Sequence, residues 1–125
     1  MIKFEIEYII RSSPSILFNY LSNSEGLSEW FADTVNVNGD TYTFIWDGSE
    51  EKATLLNLKK DECIRFKWQH IDDDNAYFEF RLKKADISGE LALIVTDFCE
   101  DESEKDDAIN LWNSQIEDLM RTIGC

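Results

Sequence analysis

Asp97 is the residue most open to a chemical reading. It follows Leu91, Leu93 and Val95 at period two, so a carboxyl falls at the end of an otherwise apolar row. Two readings fit: a polar contact at the mouth of a cavity, or the residue that ends a strand. His70 is the one histidine. As a general base it needs a second group to orient it, and the sequence nominates none. There is no CxxC, HExxH or calcium-type loop, and no Gly-rich phosphate loop, nucleophile elbow or Cys/His pair. The acids of Asp72–Asp74 and Glu100–Asp107 read as a solvated turn and a helix N-terminus. The expectation is a noncatalytic protein with no metal and no cofactor.

Aromatic side chains carry more information. Tyr42, Phe44 and Trp46 share one face of a strand, as do Ile64, Phe66 and Trp68 on another, and Phe78, Phe80 and Leu82 on a third. Arg65, Lys67, Glu79 and Arg81 point the other way, where Glu79 can pair with a neighbouring cation. Trp30 and Trp112 add to the aromatic surface, making four tryptophans with Trp46 and Trp68. Core packing is the simplest role for any one ring. Together with Leu93, Ile116 and Asp97, the rings also suit the lining of a pocket for a hydrophobic or amphipathic ligand, since such pockets are mostly apolar with a few polar groups. An indole N–H seeks a partner, which places Trp46, Trp68 and Trp112 at the boundary between core and opening.

The elements that must position these residues follow from periodicity and punctuation. Ile2 to Ile10 alternates as a half-buried strand. Ser13-Pro14 starts a helix carrying Leu17, Tyr20 and Leu21, and a second short helix from about Ser24 carries Leu27, Trp30 and Phe31, although Gly26 weakens it. From Asp33 the chain reads as six strands joined by tight turns at Asn38-Gly39, Asp47-Gly48, Lys60-Asp61, Asp72–Asn75 and Ser88-Gly89. A long helix from about Ser103 to Ile123 closes the order, with Ala108, Leu111, Trp112, Gln115, Ile116, Leu119 and Ile123 in one stripe and Gly124 as its stop. Pairing of the first and last strands gives a seven-stranded sheet, which must twist and coil. The fold class is α+β: a curved antiparallel sheet wrapped around a long C-terminal helix, as one domain over residues 1–125. One helix leaves part of such a trough unfilled, so a cavity of several hundred Å³ is expected beneath it, the usual scale for ligand sites.

Charge narrows the partners. Twelve basic against twenty-six acidic residues leave −14, a field that repels nucleic acid and anionic lipid surfaces. A hydrophobic fraction of 43% argues against disorder. The charged, alternating start Met1 to Glu7 is unlike a secretory segment, and no window approaches the roughly 18 apolar residues of a membrane span. Cys63, Cys99 and Cys125 are odd in number and far apart, which fits a reducing, cytoplasmic setting.

The whole pattern resembles the START-like, helix-grip superfamily, and within it the branch related to the activator of heat-shock protein 90 ATPase. The resemblance rests on the first strand, Ser13-Pro14 with Leu17 to Leu21, Gly26-Leu27-Ser28-Glu29-Trp30-Phe31, Phe66 with Trp68, and Leu91 to Phe98 followed by the Trp112 helix. The runs Phe44 to Ala53 and Leu111 to Ile116 are similar to a compact START-like family common in Bacteroidetes. What this implies is a helix-grip fold and a role among lipid carriers, hormone receptors, cyclases or chaperone regulators. The fold specifies no reaction. Three functions follow as expectations: a small-ligand binding domain, a protein-interaction module whose acidic surface suits a basic partner, and an enzyme of the cyclase or hydrolase kind. The enzyme needs a polar pair inside the cavity, which the sequence does not show.

Overall fold

The computed structural model describes residues 1–85 and 87–124; Cys125 lies outside the described residues. The order is β1 (Ile2–Ile9), α1 (Pro14–Ser22), α2 (Ser24–Trp30), β2 (Thr34–Asn38), β3 (Thr41–Trp46), β4 (Ser49–Lys59), β5 (Cys63–Trp68), β6 (Phe78–Lys84), β7 (Leu91–Cys99) and α3 (Glu102–Ile123). The seven strands form one antiparallel sheet in the order β1-β7-β6-β5-β4-β3-β2. The first strand closes on the last, with Phe4 opposite Asp97 and Ile6 opposite Val95. This is the α+β architecture expected from the alternation. Among the described residues, no helix is long and apolar enough to cross a membrane.

Capping sets the helix boundaries. The Ser13 hydroxyl accepts from Ile16 N–H with Pro14 at the first helical position, and the Asn23 side chain accepts from Gly26 N–H to start α2. Gly26 does not loosen α2. A Cβ at this position would stand 2.6 Å from Tyr20 Cα and on the Asn19 carbonyl of α1, so glycine lets the two helix backbones touch. Trp30 then reaches across the junction and donates its indole N–H to Tyr20 O at 2.7 Å. In α3 the Asp101 carboxylate accepts from Ser103 N–H, and Gly124 ends the helix at φ 89°.

Two turns differ from their sequence reading. Asn38 pairs with Thr41, so the β2–β3 turn is Gly39-Asp40 rather than Asn38-Gly39, with Gly39 taking the positive φ of 60°. The β5 pairing with β6 ends at Phe66 and Phe78, so the connection is a loop from Gln69 to Tyr77, longer than the tight Asp72–Asn75 turn expected. The Asp47-Gly48 turn is as expected, both residues at positive φ. A register shift in β4 between Leu55 and Asn57 bends that strand.

The outer face of the sheet holds an ionic cluster. Glu79 is only 4% exposed and accepts from Arg65 Nη2 at 2.9 Å and Arg81 Nη2 at 3.3 Å. A carboxylate buried this deeply needs both cations to offset its lost hydration. Tyr77 lies under the Arg65 guanidinium, 3.9 Å from the ring centroid, and meets Phe98 edge-on at 5.1 Å.

Candidate functional site

Beneath α3 the aromatic rows meet and fill the space. Phe44, Phe66, Phe78, Phe80, Leu93 and Ile116 are each 0% exposed, so none faces a void that admits water. Phe66 stacks on Phe78 at 5.0 Å, Phe80 meets Trp112 edge-on at 5.7 Å, and Phe31 stacks on Trp112 at 6.0 Å. Tyr42, 5% exposed, meets Phe66 edge-on and donates its hydroxyl to Ser22 O at 2.7 Å. These residues were expected to line a cavity of several hundred Å³. They close it instead, because Phe31 and Trp30 from α2 descend between the sheet and α3 and occupy the volume one helix alone would leave.

An opening survives at one end. Beyond the last β5–β6 pair, Trp68 has no partner on β6, and the loop from Gln69 to Tyr77 arches over the gap. Ile71 N–H donates to Trp68 O, Lys67 Nζ donates to Ile71 O at 2.6 Å, and Ala76 N–H donates to Asp73 O, which holds the arch. The result is a pocket of about 130 Å³ lined by Trp68, Ile71, Ala76, Tyr77, Asp97 and Phe98, with Met1 beside them. Trp68 packs on Phe78 at 4.9 Å and on Phe44 at 5.5 Å, so its inner side belongs to the core and its edge to the pocket.

Asp97 is the polar group of this pocket. Trp112 Nε1 donates to its Oδ2 at 2.8 Å, and Phe98 N–H donates to its Oδ1 at 2.7 Å. Burial pushes the carboxyl above the ordinary range, and these two hydrogen bonds pull it partly back. Each oxygen keeps a second lone pair for a ligand's donor. The consequence for stability has a definite sign. A folded state that binds the Asp97 proton more tightly than the unfolded chain loses stability as pH rises from the ordinary carboxylate range through the raised value, and nothing further above it. Thermal melts of wild type and Asp97→Asn should therefore show the wild type's relative stability falling from about pH 4 upward and then levelling. A difference that stayed constant or rose with pH would refute the buried carboxylate.

Of the residues singled out in the sequence, Trp68 and Asp97 line this pocket, and Trp112 supports it through Asp97. Trp30 and Trp46 lie at a separate groove on the far side of α3, and Trp46 donates its N–H to Phe31 O at 2.7 Å. The pocket residues not singled out in the sequence are Met1, Ile71, Ala76, Tyr77 and Phe98. Phe98 has outer-face parity, and Ile71, Ala76 and Tyr77 lie in the loop rather than in a strand. The available signal was that aromatic Tyr77 and Phe98 fall next to the ends of neighbouring strands. His70 does find an orienting carboxylate, Glu51 Oε2 at 3.0 Å from Nδ1, but both side chains are about half exposed and lie outside the pocket lining.

A curved antiparallel sheet gripping a long C-terminal helix defines a helix-grip protein. The chain belongs to the START-like superfamily, whose domain model matches residues 1–125. Among solved structures it is similar to BfR322 from Bacteroides fragilis, at 33% identity over 98% of this chain and 90% of that one, with a TM-score of 0.69. The fold is also shared with Aha1 from Colwellia psychrerythraea, solved as a dimer, at 17% identity over 96% and 94% of the two chains and a TM-score of 0.76. MLL2253 from Mesorhizobium loti matches at 16% identity over 98% and 97%, with a TM-score of 0.79. No curated protein sequence matches the chain.

Proposed function

We propose that this START-like domain is a noncatalytic binding protein for a small amphipathic molecule, held at the Trp68–Asp97 end of the sheet. The supporting observation is the half-satisfied Asp97 carboxyl at the back of an aromatic-lined pocket. Its volume of about 130 Å³ suits a body of one ring, close to the roughly 150 Å³ cavity that accepts benzene in another protein. A long-chain lipid would require the ring layer under α3 to separate. The ligand class is therefore a single ring or short apolar group bearing an ammonium or another strong donor. Its donor meets Asp97 while the apolar part rests against Trp68, Tyr77 and Phe98.

Benzylamine, toluene and benzoate serve as probes in a two-dimensional NMR titration read at the Trp112 and Trp68 indole N–H signals. Benzylamine is expected to bind most strongly, and more strongly as pH rises through the Asp97 titration, because the carboxylate form holds the cation. Asp97→Asn should remove the preference for benzylamine over toluene. Millimolar probes that left both indole signals unmoved would sink the proposal, as would a preference for benzoate.

A further inference from the structure

A second surface points to a protein partner, independently of the Asp97 pocket. Leu111 was expected inside the buried stripe of α3, yet it is 63% exposed while its neighbour Trp112 is 6% exposed. It faces a groove of about 570 Å³ between the end of α2 and α3, whose apolar part comes from Trp30, Phe31, Ala32, Trp46 and Leu111. Trp30, Phe31 and Ala32 are buried and form its floor, so the apolar surface the groove offers is Leu111 and part of Trp46, whose indole N–H is already donated to Phe31 O. Its polar rim is Glu29, Asp33, Asp118, Ser28 and Gln115. Among the described residues, Glu29 and Gln115 make no side-chain hydrogen bond or ion pair, leaving a carboxylate and an amide to meet a partner.

Charge is distributed unevenly around this groove. Residues 12–33 contain three acids and no lysine or arginine, and α3 carries six acids against Lys105 and Arg121. Arg121 is itself held by Asp118 at 2.8 Å. Eight of the twelve basic residues lie in strands instead: Lys3, Lys52, Lys59, Arg65, Lys67, Arg81, Lys83 and Lys84. These two helical segments thus carry half of the excess negative charge, −7 of −14, on about a third of the residues, and the field around the groove favours a cationic partner.

We propose that this groove docks a basic segment of a partner protein, one that inserts a leucine- or aromatic-type side chain against Trp46 and Leu111 and sets flanking lysines or arginines on Glu29 and Asp33. Anionic membranes and nucleic acid are repelled by the same acids. A second copy would bring its own acids to the rim.

Random dodecapeptides displayed on phage, panned over the full chain, test the proposal. The selected peptides are then synthesised and titrated against wild type, Leu111→Glu and Glu29→Lys. Both positions are exposed, and circular dichroism verifies that the variants fold. The expected winners combine an apolar residue with neighbouring lysine or arginine, bind more weakly as salt rises, and lose about tenfold or more in affinity to each variant. Winners that are acidic, that bind both variants as tightly as wild type, or that fail to emerge at all would overturn it. So would a homodimer in sedimentation velocity that Leu111→Glu abolishes, since the groove's occupant would then be a second copy.

Discussion

Gly26→Ala is expected to destabilise the domain by about 3 kcal/mol, although alanine is the better helix former by about 1 kcal/mol. The added methyl would fall on backbone atoms of α1, at 2.6 Å from Tyr20 Cα, and backbone cannot rotate away as a side chain can. The helices would have to part. That movement would strain the Trp30 N–H bond to Tyr20 O and the Asn23 cap on Gly26 N–H, and it would shift Phe31, which stacks on Trp112. Urea unfolding provides the measurement: the midpoint should fall with the slope unchanged. A midpoint equal to or above wild type would mean that α1 and α2 slide without cost, and that the contact does not fix the ring layer.

Phe80→Ala should cost roughly 3–5 kcal/mol, the range for truncating a buried phenylalanine. Phe80 is 0% exposed and touches the rings of Trp30, Phe78 and Trp112 at centroid distances of 5.8, 6.0 and 5.7 Å. Its neighbours come from β6, α2 and α3, so no single element can move in to refill the space. The variant should then contain the apolar chamber that the natural sequence fills. An apolar chamber of that kind stays dry and accepts a small hydrocarbon. Benzene should raise the melting temperature of Phe80→Ala well beyond any shift in wild type, because only the variant adds a chamber under α3 to the Trp68–Asp97 pocket that both proteins share. Equal stabilisation of the two proteins would show that the truncation opens no chamber under α3.

Much of the fold was legible in the residues themselves. Alternation of Ile2 to Ile9 and of the β3, β5 and β7 rows identified the face that each strand buries, because a pleated strand turns every second side chain the same way. Ser13-Pro14, Asp47-Gly48 and Gly124 marked boundaries through local backbone preferences that hold without tertiary context. Glu79 was readable as a paired carboxylate because Arg65 and Arg81 share its face. The Asn38-Gly39 turn was misplaced by one residue, since either Asn-Gly or Gly-Asp satisfies the same two-residue connection and the hairpin pairing chose between them.

The candidate site was legible only in fragments. Asp97 and Trp68 stood out by type and position, but their partners did not, since Tyr77 and Ile71 reach the pocket from a loop whose path depends on where β6 begins to pair. Leu111 satisfied the helical stripe and still faces solvent. A 3.6-residue stripe marks a broad arc of the helix, and only the position of α3 over the sheet decides which edge of that arc is covered.

The sequence by itself thus determined the strand faces, the caps and the identity of the carboxyl that breaks the β7 row. Those follow from local periodicity and backbone chemistry. The tertiary structure alone decided how much room remains around Asp97. Free volume is the difference between the space the elements enclose and the side chains that fill it, and Gly26, by letting α1 and α2 touch, sets where Trp30 and Phe31 enter. The carboxyl was visible from the start; its pocket, closed under α3 and open beside Trp68, required all three helices and the sheet in place.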